Sequence, residues 1–228
     1  LFPGWSIRRL DADSVTKKGS LESILEEFRK GKIDLLLGTQ MVAKGLNFPG
    51  VKTVGLVLAD AGLNLPDFRA AERVFSLIVQ VAGRAGRYDP DGRVYIQTFR
   101  PDNPVIRLAS GMDMEAFYDR ELMLRQAQGF PPFARIARLV LRSKDREACI
   151  GSIRQLARKG LSFRGSTVEL LGPSECPLGM IAGSHRWQLL LRAFSLSELH
   201  KAVRTIIEGV KFPSSVYLEI DIDPVQLL

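Results

Sequence analysis

The chain has 228 residues, 46% of them hydrophobic and 25% charged, with a formal net charge of +7. That length and balance fit a globular protein of one or two domains, and the moderate basic excess suggests an anionic partner, nucleic acid or nucleotide, without requiring one. No apolar run of the sequence approaches the roughly 18 residues needed to cross a bilayer, and no signal peptide is visible. Cys149 and Cys176 stand far apart without a C-x-x-C partner, and His185 and His200 lack ligand spacing. They fit a reducing compartment and argue against a zinc site, which takes about four ligands.

In chain order, Phe2-Pro3-Gly4-Trp5 reads as mid-domain sequence, so a piece of a longer protein is expected. Ser6 to Leu10 reads as a short strand. Leu21 to Lys30 sets Leu21, Ile24, Leu25 and Phe28 on one helical stripe, stopped by Gly31. Ile33 to Leu37 and Lys52 to Ala59 are apolar strand runs. Phe68 to Gln80 is periodic as a helix, with Asp67 after Pro66 as its expected cap, and Gly92 to Phe99 is a further strand. Strands alternating with helices predict a mostly parallel sheet in an α/β layer.

Near residue 110 the character changes. Met112 to Gln128 reads as one helix, ended by Gly129 and the Phe130-Pro131-Pro132-Phe133 break. Beyond it come strand (136–141), helix (146–159), strand (168–171), strand (187–193), helix (196–208) and strand (216–222). That is β-α-β-β-α-β, the ferredoxin-like order. Ser195-x-x-Glu198 forms a capping box for the second of these helices. The expected domains are 1–110, an α/β layer, and 111–228, an α+β domain.

Two stretches carry chemistry. QVAGRAGR, Gln80 to Arg87, ends the helix-like segment with two arginines, each after a glycine. On these residues alone two readings stay open. One is a glycine-ended helix with basic residues in its last turn. The other is a phosphate grip, in which Arg84 and Arg87 share a face and present guanidinium forks while Gly83 and Gly86 admit close approach. The second stretch, GTQMVAKGLNFP, follows the LLL run. Ligand loops of open α/β sheets sit at such strand ends. Thr39 offers a hydroxyl there and Lys44-Gly45 a cation beside an open backbone.

Together these stretches resemble motifs V and VI of superfamily 2 helicases, the second as Q-x-x-G-R-x-G-R. The run LADAGLNLPDFRAAERVFSLIVQVAGRAGR between and through them resembles the PriA family of replication-restart DNA helicases. The likeness extends through ELMLRQAQGFPPF, RWQLLL and EIDIDP. It implies that residues 1–110 are part of the second RecA-like motor lobe and that 111–228 are the family's C-terminal domain. By position Arg84 and Arg87 match the arginines that reach the ATP phosphates, and Gln80 matches the leading glutamine. Gly45 and Asn47 match the nucleotide-side end of motif V, although the usual acid is absent at Asn47. Thr39, with Gln40 and Lys44 in the same loop, matches the DNA-contacting end. The resemblance also implies ATP, Mg²⁺, single-stranded and forked DNA, single-strand-binding protein, primosome loading proteins and a cytoplasmic location. Zinc is expected only upstream of Leu1.

No G-x-x-x-x-G-K-[ST] loop occurs, so half of an ATP site is expected and the chain alone should be inactive. The alternative is a non-catalytic nucleic-acid or protein docking module. Arg69 with Glu72 fits a surface pair better than a coupling device. Phe130 and Phe133 favour interdomain packing over base stacking, and Trp187 favours core. His185, Arg186 and Arg192 are candidates for a face toward DNA or a protein.

Overall fold

The computed structural model describes residues 2–10, 20–39, 48, 50–85, 91–163 and 165–227. The chain divides into two compact units. The first holds Leu1–Leu65 and Ala70–Tyr118, the second Pro66–Arg69 and Asp119–Leu228.

In the first unit, β1 (Ile7–Leu10) pairs parallel with β2 (Leu35–Gly38), Ile7 opposite Leu35. Between them in the chain lies α1 (Ser20–Arg29). Its predicted stripe turns inward, with Leu25 buried and Glu22 and Glu26 exposed. A second parallel pair joins β3 (Thr53–Leu56) to β4 (Arg93–Ile96), Thr53 opposite Arg93. α2 (Ala70–Ala85) packs Val74, Phe75 and Ile78 against Ala59, Ile106, Ala109 and Phe117. Phe75 and Phe117 stack at 3.9 Å and 10°.

Asp67 does not cap α2 as expected. The helix begins at Ala70, and Asp67 accepts the Arg69 amide at 2.9 Å in a turn ahead of it. A short helix α3 (Pro104–Ser110), not foreseen, starts at Asn103, whose side chain accepts from the Val105 amide at 2.9 Å. α4 (Met114–Gln128) follows. Its end is a Schellman turn: the Phe130 amide reaches the Arg125 carbonyl and the Gly129 amide the Gln126 carbonyl. Gly129 sits at φ +64, a conformation open to glycine at little cost.

The second unit runs β5 (Arg135–Ser143), α5 (Arg146–Gly160), β6 (Glu169–Ile181), β7 (Ser184–Ala193), α6 (Leu196–Ile207) and β8 (Tyr217–Ile222). The sheet order is β6-β7-β5-β8, with every pairing antiparallel. Ala137, Leu139 and Leu141 alternate onto one face of β5 and pack with Ile153 and Leu156 of α5 and with Leu199 and Ile206 of α6. Both helices therefore cover that face. Trp187 packs partly buried against this core. α5 is capped by Asp145, which accepts from the Ala148 amide at 3.1 Å. The predicted box at α6 forms, with the Ser195 hydroxyl accepting from the Glu198 amide at 3.2 Å.

Candidate nucleotide and DNA site

α2 is the backbone on which the candidate nucleotide residues are set. Buried Ala70, Val74, Ile78, Val81 and Ala85 recur at helical spacing and fix one face inward. Gln80 lies exposed. Arg84 is a residue of the last turn of α2, four positions after Gln80, and its side chain lies outside the described part of the structure. Gly83 is exposed, and a Cβ built on it meets no atom within 4 Å. A glycine inside a helix costs about 1 kcal/mol relative to alanine. Nothing packed within the described chain requires it here. Arg87 lies outside the described residues.

Thr39 follows β2 directly and is exposed, at the carboxyl end of that strand. Gln40, Lys44, Gly45 and Asn47 lie outside the described residues. Of the predicted site, then, Thr39 at a strand end and Gln80 on α2 are both presented to solvent by the first unit.

Asp60, which the sequence did not single out, is a buried carboxylate at the end of β3's connection. Burial pushes its pKa up, but hydrogen bonds from backbone amides, including Phe99 at 3.2 Å, and from Thr98, with Arg100 nearby, outweigh this and hold it below the ordinary value. It ties that connection to the loop after β4.

Of the candidates of the second unit, Arg186, Arg192 and Phe130 are engaged internally, while Phe133 is exposed. Arg192 donates to the Gln128 carbonyl and pairs with Glu169, and Arg186 donates to the Leu178 carbonyl at 3.2 Å. Phe130 stacks on Phe68 at 5.3 Å and 7°. Arg69 does not stand as a plain surface residue beside Glu72. Its guanidinium donates to the carbonyls of Pro224 at 2.7 Å and Val225 at 3.2 Å, partners about 155 residues away that no local pattern announces.

Both cysteines are free and buried. Burial pushes both thiols up, against an opposing pull from Arg138 and Arg186 at Cys176. Among the described residues, no three His, Cys, Asp or Glu side chains gather where they could hold a metal ion. No helix among them is long and apolar enough to cross a membrane.

Comparison with known proteins decides the family. A model of the Helicase conserved C-terminal domain matches residues 2–89, and one of the Primosomal protein N C-terminal domain matches residues 126–225. The replication restart protein PriA of Treponema pallidum is 45% identical over 228 residues, covering 100% of this chain. The chain belongs to the PriA family. PriA of Borreliella burgdorferi is 39% identical over 227 residues and PriA of Bacillus subtilis 35% identical over 231, each across 100% of this chain. The chain spans about a third of the length of these PriA relatives, 35%, 34% and 29% respectively. The helicase match takes in Thr39, Gln80, Arg84 and Arg87. The second match begins inside the last turn of α4, at Gln126.

Proposed function

We propose that this chain is the C-terminal part of an ATP-dependent DNA helicase that restarts stalled replication forks, coupling ATP hydrolysis to movement on single-stranded DNA. The observation that carries this reading is the helicase match across residues 2–89, which takes in the sequence pattern Q-x-x-G-R-x-G-R from Gln80 to Arg87. Exposed Gly83 supports it, since the helix accepts its cost where no neighbour among the described residues needs the space, next to the residue expected to meet a phosphate.

In this reading residues 1–110 are part of the second RecA-like lobe. Arg84 and Arg87 act on charge developing at the γ-phosphate of an ATP held by a lobe outside this chain, with Gln80, Gly45 and Asn47 on the nucleotide side. Arginines in such a role contribute on the order of 10³ to 10⁵ in rate. Mg²⁺, bound with ATP, supplies further charge neutralisation. Thr39, Gln40 and Lys44 contact the DNA backbone. Residues 111–228 form a ferredoxin-like domain, a reading supported by the β-α-β-β-α-β order and the β6-β7-β5-β8 sheet. Forked DNA, single-strand-binding protein and primosome loading proteins are the partners, and the cytoplasm is the location.

The test is ATP turnover by the full-length protein with and without single-stranded DNA, beside the 228-residue chain alone. DNA-stimulated turnover by the former and none by the latter is expected. Absence of turnover in the full-length protein overturns the reading in favour of a docking module.

A further inference from the structure

We infer, resting on the helicase reading, that Phe99 is a base-stacking residue for single-stranded DNA. It stands on a turn held by the buried Asp60 carboxylate, with Arg100 beside it for a backbone phosphate. β3 and β4 run parallel, Leu56 opposite Ile96, so the connections that carry Asp60 and Phe99 leave together at the carboxyl end of both strands. That is the end at which open α/β sheets carry their ligand loops. Phe99 is 80% exposed there.

This exposure goes with a fixed backbone. Beyond the last residue of β4, the Gln97 amide donates to the Leu56 carbonyl at 2.8 Å, and the Gln97 carbonyl accepts from the Ala59 amide at 2.9 Å. The Phe99 amide donates to the Asp60 carboxylate at 3.2 Å, and the Arg100 amide to the Thr98 hydroxyl oxygen at 3.0 Å. The Arg100 carbonyl then accepts from the amide of Asn103, the cap of α3, at 3.0 Å. On the other connection Leu58 takes φ +53, a conformation costly for a residue with a side chain, where the chain passes from exposed Val57 and Leu58 to buried Ala59 and Asp60. Single exposed apolar residues are common on protein surfaces. What sets Phe99 apart is that a buried carboxylate fixes the backbone beneath the ring. A platform ordered in advance loses little freedom when it binds. An aromatic ring accepts the π-face of any base, so it grips a single strand without reading its sequence. Arg100 is exposed and keeps its charge at any physiological pH. Asp102, also exposed, offsets part of that charge, so the ring contributes more than the cation.

The test is binding of labelled oligonucleotides by the full-length protein. One is an oligothymidine of about 15 nucleotides, and the other has the same length and charge but abasic central positions. Wild type should prefer the first, and Phe99→Ala should lower that preference about 5-fold or more, the loss expected for one stacked base. Phe99→Tyr should keep most of it. Arg100→Ala should leave the preference near wild type and reduce the salt slope of binding by about 0.7, one phosphate contact fewer. Asp60→Asn, which keeps an acceptor for the Phe99 amide, should hold the preference, and Asp60→Ala should lower it. An unchanged preference in Phe99→Ala, or equal weakening on both oligonucleotides, overturns the inference. An unchanged preference with a lowered melting temperature overturns it in favour of a ring packed against the rest of the full-length protein. In either case DNA-stimulated ATP turnover by the wild type leaves the helicase reading standing. A wild type that binds no single-stranded DNA overturns both.

Discussion

Phe75→Ala is the severest single test of the first unit's packing. Phe75 is 2% exposed on α2 and stacks at 3.9 Å on Phe117, itself 1% exposed, with Ile78 fully buried one turn away. Truncation removes a ring whose space the surrounding helices can only partly refill, a class of change that costs about 3–5 kcal/mol. Phe117 also loses a stacked partner, which contributes about 0.5–1.5 kcal/mol beyond the area it buries, so the upper part of that range is expected. Domains of this size have about 5–15 kcal/mol in all. Urea unfolding followed by far-ultraviolet circular dichroism reads the effect. With a slope of about 1–3 kcal/mol per molar urea, the midpoint of the first unit should drop by more than about 1 M. Gln80→Ala, exposed on the same helix, should stay within about 0.5 kcal/mol of wild type. A loss below about 2 kcal/mol for Phe75→Ala would refute the core assignment.

Ser195→Ala removes the acceptor for the Glu198 amide and should cost about 1 kcal/mol, measured as a lowered thermal midpoint of the second unit. Glu198 takes hydrogen bonds from Thr167 at 2.6 Å and Ser195 at 2.8 Å, which hold its pKa below the ordinary 4.5. The depressed pKa means that this stabilisation is complete above about pH 4.5 and is lost as pH falls below it, so the stability gap between wild type and Glu198→Gln should close on acidification from pH 6 to pH 3. Gly129→Ala forces a side chain into φ +64 with its Cβ 3.2 Å from the Arg192 guanidinium, and should destabilise by about 1–2 kcal/mol in the same melting assay.

What the sequence made legible was whatever it writes at short range. The stripe of α1, the box at Ser195 and Glu198, and the alternating elements beyond residue 130 all rest on spacings of a few residues, and the structure carries them. α3 was missed although Asn103-Pro104 is a cap followed by a first-turn proline, because the helix is only 7 residues long and makes no periodic signal. β6 is 13 residues long where a short strand was expected. Its register shifts between Leu171 and Ser174 and between Glu175 and Met180, and the intervening Gly172-Pro173 breaks the alternation that a strand reading needs. Asp67 shows the opposite failure. Its position before a helix looked like a cap, but its second oxygen is committed to Leu227, 160 residues on. The same distance hid the acceptors of Arg69. Arg84 and Arg87 were singled out by a pattern local in sequence, each arginine straight after a glycine, and their role at a phosphate is the reading proposed for it.

The central claim is that the arginines after Gly83 and Gly86 act on the phosphates of ATP, and ATP turnover with melting temperature on the same two variants tests it most directly. In the full-length protein, Arg87→Ala should reduce DNA-stimulated turnover by on the order of 10³-fold or more, and Arg84→Ala should do so comparably or also weaken nucleotide binding. Both should melt close to wild type, because removing an arginine from a surface site costs within about 0.5 kcal/mol. Near-normal turnover with a lowered melting temperature would contradict the account and leave the two residues as a basic helix end.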